Sequence, residues 1–141
     1  MQPYAQTQAA IEILAEAEEI SRPVDRVISF YFRNNRYIGS KDKKAIAEQV
    51  YSTLRQQGLI DWALQQVELQ PTARLRVAGQ MLLKGQDLSQ TFHGERFAPR
   101  PLNGTEKAVE GILEKMEHAP TYAKLNYPAW AGKLLLKAFD E

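Results

Sequence analysis

The side chains that most often carry catalysis or hold metal ions are scarce in this sequence. Its 141 residues include no cysteine and only two histidines. Without a thiol, the chain has no cysteine nucleophile, thiolate zinc site or redox pair. His93 and His118 lie far apart, and neither has a histidine at the i, i+4 spacing that puts two ligands on one helix face. We therefore expect no metal site in this chain.

Carboxylates and phosphate-binding motifs give no better case for catalysis. Glu12, Glu16, Glu18 and Glu19 fall in one amphipathic segment, which is typical of a solvated helix face. The sequence contains neither G-x-G-x-x-G nor G-x-x-x-x-G-K-[ST], and no serine stands in a G-x-S-x-G elbow. We expect no catalysis by this chain alone and no cofactor bound within it.

Basic residues, by contrast, are concentrated in one quarter of the chain. The formal net charge is only +1. Residues 1–21 nevertheless carry four carboxylates and no basic group, whereas residues 22–57 carry eight basic residues against three acidic ones. Within this basic segment, residues 33–44 combine arginines, lysines, asparagines and Tyr37 around the expected start of a helix.

Two interpretations of residues 33–44 are open from spacing alone. Arginine and lysine side chains neutralise phosphates, the free amides at a helix start accept an anion, and Tyr37 could stack on a base. This interpretation predicts binding of RNA or another polyanion. The alternative is a solvated turn whose arginines pair with Asp25 or with the glutamates of the first helix.

Composition and periodicity predict an all-α fold that would position these residues. Alanine, leucine and the long polar residues favour helix, and no stretch shows sustained alternation of apolar and polar residues. The expected helices span roughly 7–21, 23–34, 40–57, 59–67, 73–84 and 105–117, with one helical turn inside 86–102 and two short helices opened by Pro120 and Pro128. We therefore predict one bundle of seven to nine helices, several of them short, over residues 1–141.

Local signals set the ends of several helices. The expected N-caps are Thr7, Ser40 and Thr72, the expected glycine stops are Gly58 and Gly85, and Asn103 with Glu106 forms a capping box. The helix over 40–57 has an apolar arc that includes Ile46, Val50 and Leu54; Lys41, Lys44, Ser52 and Arg55 fall on its polar side. The helix over 73–84 is apolar nearly all round, which predicts a central position.

The sequence also bears on compartment. No apolar run approaches the roughly 20 residues that span a bilayer, and residues 1–10 lack the basic start and apolar centre of a signal peptide. We expect a cytoplasmic protein with no membrane partner.

A set of motifs runs through most of the chain in a recognisable order. They are Arg22–Arg26, Arg33–Ile46, Val50-Tyr51, Leu54-Arg55, Phe92–Gly94, Ala98–Leu102 and Tyr127–Trp130. In order and spacing they resemble the N-terminal region of Sun-type ribosomal RNA (cytosine-5) methyltransferases, from about Thr7 to Phe139. The block within 22–55 is the specific part of this resemblance.

The resemblance implies a NusB-like helical domain that binds RNA and precedes a Rossmann-like domain for S-adenosylmethionine. The family's chemistry uses two cysteines, one to attack the pyrimidine ring and one to help release the product, and this chain has neither. The implied role is an accessory domain, with the cofactor and the catalytic domain expected beyond Glu141. The implied partners are ribosomal RNA and the chain's own downstream methyltransferase domain.

The candidate RNA-binding residues come from the basic segment. They are Arg22, Arg26, Arg33, Arg36, Tyr37, Lys41, Lys43, Lys44 and Arg55. Two other functions stay open at this point. One is a stand-alone NusB-like antitermination or ribosome-assembly factor that binds RNA and protein. The other is a docking module in which apolar positions around Trp130 pack on a neighbouring domain and the basic segment is merely solvated.

Overall fold

The computed structural model describes residues 1–125, and all regular structure in that range is helical. The α-helices are α1 (Pro3–Ile20), α2 (Val24–Asn34), α3 (Ser40–Arg55), α4 (Gln57–Gln66), α5 (Ala73–Leu83), α6 (Ile112–Met116) and α7 (Thr121–Lys124). Two 3₁₀ segments, Leu88–Gln90 and Glu106–Gly111, lie between α5 and α6. The all-α prediction is confirmed for the described residues, and seven α-helices agree with the predicted number.

Helix α5 lies at the centre of the bundle. It contacts α1, α3, α4 and α6, and Leu75, Val77 and Met81 are buried. Its Gly79 comes so close to α4 that an added Cβ atom would stand 2.8 Å from Ile60 Cγ2. The predicted central helix is thus confirmed, although its last residue is partly exposed. Packing on several sides explains why its apolar residues do not form a single stripe.

Helix α1 begins earlier than Thr7, so the predicted N-cap at Thr7 is wrong. Pro3 occupies the first turn, where its missing N–H costs nothing. Thr7 is buried, and its Oγ1 lies 3.2 Å from both the Pro3 carbonyl oxygen and Gln49 Oε1 of α3. The threonine hydroxyl therefore finds its partners inside the helix and across the α1–α3 contact rather than at a helix start.

The junction of α3 and α4 also differs from the prediction. Helix α3 ends at Arg55 and α4 begins at Gln57, so Gly58 lies inside α4 and is not a left-handed stop. Gln56, with φ −104°, makes the break without entering the left-handed region. At the other end of α3 the N-cap is Gly39, not Ser40, and no side chain caps it.

Ser52 is a further correction, because it lies in the interior rather than on the polar side of α3. Its side chain is buried. The hydroxyl hydrogen-bonds to Glu48 Oε1 at 2.9 Å and accepts a bond from Arg55 Nη2 at 2.9 Å. A small hydroxyl with partners on its own helix can be buried at little cost.

Local capping signals were predicted well elsewhere. Thr72 Oγ1 accepts a hydrogen bond from the Leu75 N–H at 3.1 Å, and Gly85 follows α5 with φ +74°. The capping box is complete, since Asn103 N–H donates to Glu106 Oε1 at 3.1 Å and Glu106 N–H donates to Asn103 Oδ1 at 2.8 Å. These signals depend only on residues a few positions apart, so tertiary packing does not override them.

The segment after this box is divided rather than continuous. The predicted helix over 105–117 consists of the 3₁₀ segment followed by α6, and they meet at Gly111, a poor helix former. The single turn predicted inside 86–102 is Leu88–Gln90, and the helix opened by Pro120 is α7. The helix expected after Pro128, with the docking positions around Trp130, lies outside the described residues. Among residues 1–125 no helix is both long and apolar enough to cross a bilayer.

Candidate nucleic-acid interface

The basic segment folds into a helical hairpin of α2 and α3. Near the start of α2, Asp25 accepts a hydrogen bond from the hydroxyl of Tyr51, which lies in the second half of α3. Near the end of α2, the Lys43 ammonium of α3 lies 5.8 Å from the centre of the Phe32 ring. These two contacts show that α2 and α3 are antiparallel. The hairpin therefore has a turn end, residues 33–44, and an open end, formed by the start of α2 and the last turn of α3.

The turn end presents cations that no carboxylate of residues 1–125 neutralises. Arg33, Arg36, Lys41 and Lys44 are exposed, and none forms an ion pair with another residue of the described range. The nearby carboxylate of Asp42 is held elsewhere, because its Oδ1 accepts a 2.8 Å hydrogen bond from Gln6 Nε2 of α1. Five basic residues thus share this end with one carboxylate that faces α1.

Tyr37 and Lys43 occupy contrasting positions at the turn end. Tyr37 is 77% exposed, so its ring faces are open to solvent and can stack on a planar ligand. Lys43 is half-buried and stays over the Phe32 ring. A cation over a ring gains an electrostatic attraction. Lys43 therefore helps to hold α3 against α2 and also adds positive charge to the turn end.

A buried anchor fixes the shape of the turn. Ile38 is 3% exposed and belongs to the main core, and its N–H donates to the Asn35 carbonyl oxygen at 3.1 Å. Asn35 Nδ2 in turn donates to the Tyr31 carbonyl oxygen at 2.7 Å, which closes the end of α2. Because Ile38 is held inside, the adjacent Tyr37 and Arg36 are held outside.

The start of α3 adds backbone donors to this surface. Gly39 caps the helix without any side-chain hydrogen bond, so the first amides of α3 remain available at a helix N-terminus, where an anion is favoured. Lys41 stands in this first turn, and Lys44 follows at the start of the second. The turn end therefore combines side-chain cations, helix amides and an exposed ring on one fixed platform.

The open end carries the other three candidates in a different setting. Arg22 and Arg26 are exposed, but they share the region with Glu19 and Asp25. Arg55 is already paired, since its Nη2 lies 2.9 Å from Glu48 Oε1. At 1.5 Å per residue, Arg55 lies roughly 20 Å along α3 from Lys41. The nine candidates therefore form two groups rather than one patch.

The solvated-turn alternative required ion pairs between these arginines and Asp25 or the α1 glutamates. Within the described part of the chain three of those five carboxylates have other partners: Asp25 is bonded to Tyr51, Glu12 to Tyr31 at 2.5 Å, and Glu18 to Arg76 at 3.4 Å. Burial, and then the hydrogen bond to Glu12, raise the pKa of Tyr31 well above its ordinary value. The bond to Asp25 raises the pKa of Tyr51. Two tyrosines and Arg76, not the turn-end arginines, bond these three carboxylates within the described residues.

Phe30 is a candidate that the sequence reasoning missed. It is 51% exposed on α2, and its position, four residues after Arg26 and three before Arg33, places all three on one helix face. The helical periodicity of the sequence carries a signal for this position. Val27, Ile28 and Tyr31 define the inward face of α2, and Phe30 lies outside that face. This ring is a second exposed aromatic group beside a turn-end cation.

The histidines do not form a metal centre in the described range, where no group of three potential ligands occurs. His93 packs edge-on against Tyr4, with ring centres 4.8 Å apart, and its Nδ1 accepts the Glu95 N–H at 3.2 Å. His118 is exposed near the end of α6. His93 thus helps to hold the loop after α5 against α1.

Comparison with known families, curated proteins and solved structures finds no match to this chain. The resemblance to methyltransferase N-terminal regions accordingly depends on the motifs quoted above.

Proposed function

We propose that this chain is an RNA-binding domain and that the turn end of the α2–α3 hairpin is its contact surface. The observation that carries the proposal is the group of exposed cations around Tyr37, which form no ion pair with any residue that the structure describes. Phosphates are the ligands that such a surface neutralises, and release of their counterions supplies most of the binding free energy. An exposed ring among the cations favours a single-stranded or looped nucleic acid, whose bases are free to stack.

The wider role we propose follows from the resemblance. The domain would hold ribosomal RNA for a downstream S-adenosylmethionine-dependent cytosine-5 methyltransferase domain in the cytoplasm. Its own part is limited to binding and orienting RNA, since the cysteines that the family uses are absent from these 141 residues. The methyl donor and the chemistry would belong to the catalytic domain.

Salt-dependent RNA binding tests the first part. We expect the 141-residue chain to bind a structured ribosomal RNA fragment with an affinity that falls steeply with salt. Replacing Arg33, Arg36, Lys41 and Lys44 with alanine should weaken binding and reduce the log–log salt slope by roughly 3, since each single-strand phosphate contact contributes about 0.7.

A matched control separates local contacts from total charge. Alanine at Lys84, Lys107, Lys115 and Lys124, four exposed lysines outside the hairpin, removes the same charge. We expect this control to change affinity far less than the turn-end variant. Equal losses in both variants, or no loss at low salt in the turn-end variant, would contradict the assignment of the surface.

The reading frame beyond codon 141 tests the wider role. Continuation into a Rossmann pattern with two cysteine motifs supports the methyltransferase assignment. A stop codon there contradicts it and favours the stand-alone NusB-like factor, for which RNA binding by the turn end would still hold.

A further inference from the structure

A second surface feature adjoins the turn end. A groove of about 1020 Å³ runs between the N-terminal half of α1, the turn end and the loop over 94–101. Its lining includes four aromatic residues and two carboxylates: Tyr4, Tyr31, Tyr37, Phe97, Glu12 and Asp42. Of these, Tyr31, Tyr37 and Asp42 belong to the basic segment, and only Tyr37 and Asp42 to its turn end. The groove is a product of long-range packing that the local sequence does not reveal.

Two of these rings stand open to solvent at the groove. Tyr37 is 77% exposed and Phe97 is 68% exposed. They come from segments far apart in the chain, yet both line this one groove. Open aromatic faces at a groove are suited to hold a flat ring by stacking.

The loop that carries Phe97 is fixed in place. Phe97 has φ +70°, a left-handed conformation that a bulky residue rarely adopts. The loop is closed by the Gly94 N–H, which donates to the Pro99 carbonyl oxygen at 2.9 Å. Arg74 of α5 donates to the carbonyl oxygens of Arg100 and Pro101 at 2.7 and 2.8 Å. Phe97 is therefore presented by an anchored loop.

Cations flank both open rings. Tyr37 directly follows the exposed Arg36, and Phe97 directly follows the exposed Arg96, whose guanidinium lies 4.8 Å from the Phe97 ring centre. Lys41 and Arg100, which are also exposed, follow four and three positions after these two rings in the sequence. A polyanionic strand crossing the groove would meet positive charge on both sides.

The groove interior carries two carboxylates. Glu12 Oε2 accepts the Tyr31 hydroxyl at 2.5 Å, and its Oε1 accepts Gln8 Nε2 at 3.3 Å. Asp42 Oδ1 accepts Gln6 Nε2 at 2.8 Å, and the amino group of Met1 lies 3.9 Å from Asp42 Oδ2 and offsets part of its charge. Each carboxylate offers about four acceptor sites, so both retain free lone pairs. These groups repel a phosphate inside the groove but accept an N–H donor. The exocyclic amino group of cytosine is a donor that aspartate and glutamate accept.

We propose that this groove takes one unstacked, amino-bearing base of a single-stranded RNA, with cytosine as the probe. The base lies against Tyr37 and Phe97 with its amino group toward Glu12 or Asp42. The strand's phosphates pass over the flanking cations, Arg36 and Lys41 on one side and Arg96 and Arg100 on the other. This inference rests on the proposed RNA-binding function and names the chemical group that the surface selects.

The test compares three ligands on the 141-residue chain. They are an oligocytidine and an oligouridine of about ten nucleotides, within the range that one single-strand module covers, and an inorganic polyphosphate of matched charge. Cytosine carries an amino group at C4 where uracil carries a carbonyl oxygen, which a carboxylate repels; the two bases also differ at N3, an acceptor in cytosine and an N–H donor in uracil. We expect oligocytidine to bind about tenfold more tightly than oligouridine, the effect of one hydrogen bond to a charged acceptor.

The ligand comparison is repeated on the double variant Tyr37→Ala, Phe97→Ala. We expect it to lose roughly tenfold or more in oligocytidine affinity, the range measured when a stacking ring is removed. Its polyphosphate affinity and its salt slope should stay unchanged, because every cation is retained. Leu113→Ala, a change at an exposed apolar residue of α6, is the control and should leave all three affinities unchanged.

The outcomes separate this inference from the proposed function. Unchanged oligocytidine affinity in the double variant, with normal binding by the original chain, overturns the base site and favours a protein ligand for the groove; RNA binding at the turn end would stand. Equal affinity for oligocytidine and oligouridine overturns the amino-group selection. Absence of RNA binding by the original chain overturns the proposed function and this inference together.

Discussion

The two ends of the α2–α3 hairpin both carry basic residues, yet they differ in what surrounds the charges. At the turn end five cations share the surface with Asp42, whose carboxylate is bonded to α1. At the open end Arg22 and Arg26 lie among carboxylates, and Arg55 is paired with Glu48. The number of basic residues in a segment therefore does not define a binding surface. What matters is whether the fold leaves their charges unpaired and on one side.

The ends also differ in how they are anchored. Ile38 fixes the turn end to the core. At the open end Val24 is half-buried against the same core, and Ile20, which ends α1 just before the hairpin, is 42% exposed. The hydrogen bond between Tyr51 and Asp25 joins the helices at the open end, and it is exposed to solvent. A rigid turn end and a more loosely tied open end are the expected result.

The largest expected effect is on stability, from truncation of these two isoleucines. Ile38→Ala should lower the free energy of unfolding by about 3 kcal/mol, because it leaves a cavity in a packed core. Ile20→Ala removes the same atoms from a partly solvated site and should cost less than about 1 kcal/mol. Urea denaturation of both variants measures the difference. Similar losses would show that the turn end is not the better anchored of the two.

Charge reversal tests the electrostatic difference directly. Arg36→Glu with Lys41→Glu should reduce RNA affinity by about 30-fold at low salt, since it removes two phosphate contacts and adds repulsion. Arg22→Glu with Arg26→Glu makes the same change in net charge at the open end, where we expect a loss of threefold at most. Fluorescence anisotropy at several salt concentrations would measure both. Equal losses would mean that RNA covers the whole hairpin.

The two tyrosine–carboxylate bonds predict a smaller, pH-dependent effect. The raised pKa values of Tyr31 and Tyr51 mean that folding favours the neutral form of both phenol groups. This contribution to stability is complete below the ordinary tyrosine pKa of about 10 and is lost as pH rises above it. Tyr31→Phe should cost about 1 kcal/mol at neutral pH and lessen the alkaline loss. Tyr51→Phe should cost less stability at neutral pH and should change the alkaline loss less. Thermal unfolding at pH 7 and above pH 10 provides the comparison; identical pH profiles for original and Tyr31→Phe chains would contradict it.

The smallest effect is expected at Arg55. Its ion pair with Glu48 is exposed on both sides, and such pairs contribute little to stability. Arg55→Ala should leave the thermal midpoint unchanged within error and RNA affinity within twofold. A clear loss of RNA affinity would extend the binding surface to the open end.

Sequence alone predicted those parts of the fold that depend on neighbours in the chain. The Thr72 cap and the Asn103–Glu106 box need only residues three positions apart, and both are present. Thr7 was misplaced because its hydroxyl finds partners within α1 and across the α1–α3 contact. Ser52 was misplaced because its small side chain is buried while its hydroxyl bonds to Glu48 and Arg55 of the same helix. Gly58 was misplaced because a residue in an ordinary conformation, Gln56, ends α3 instead.

The candidate site likewise has a part that local sequence patterns indicate and a part that only the packing of distant segments creates. The exposure of the turn-end cations agrees with the polar phase of α2 and α3, which the sequence displays. The separation of Arg22, Arg26 and Arg55 from them depends on the antiparallel packing of the two helices. The groove next to Tyr37 depends on Phe97, from a loop sixty positions later, and no local pattern indicates that the two rings line one groove.

The close approach of α5 to α4 at Gly79 has a consequence for genetics. A methyl group at this position would overpack the core against Ile60, at a cost of about 1–3 kcal/mol. The better helix propensity of alanine returns about 1 kcal/mol. The net cost of Gly79→Ala, up to about 2 kcal/mol, should lower the thermal midpoint by several degrees. In a living cell such a variant would reduce the folded fraction of the whole domain on warming while every RNA-facing side chain keeps its identity.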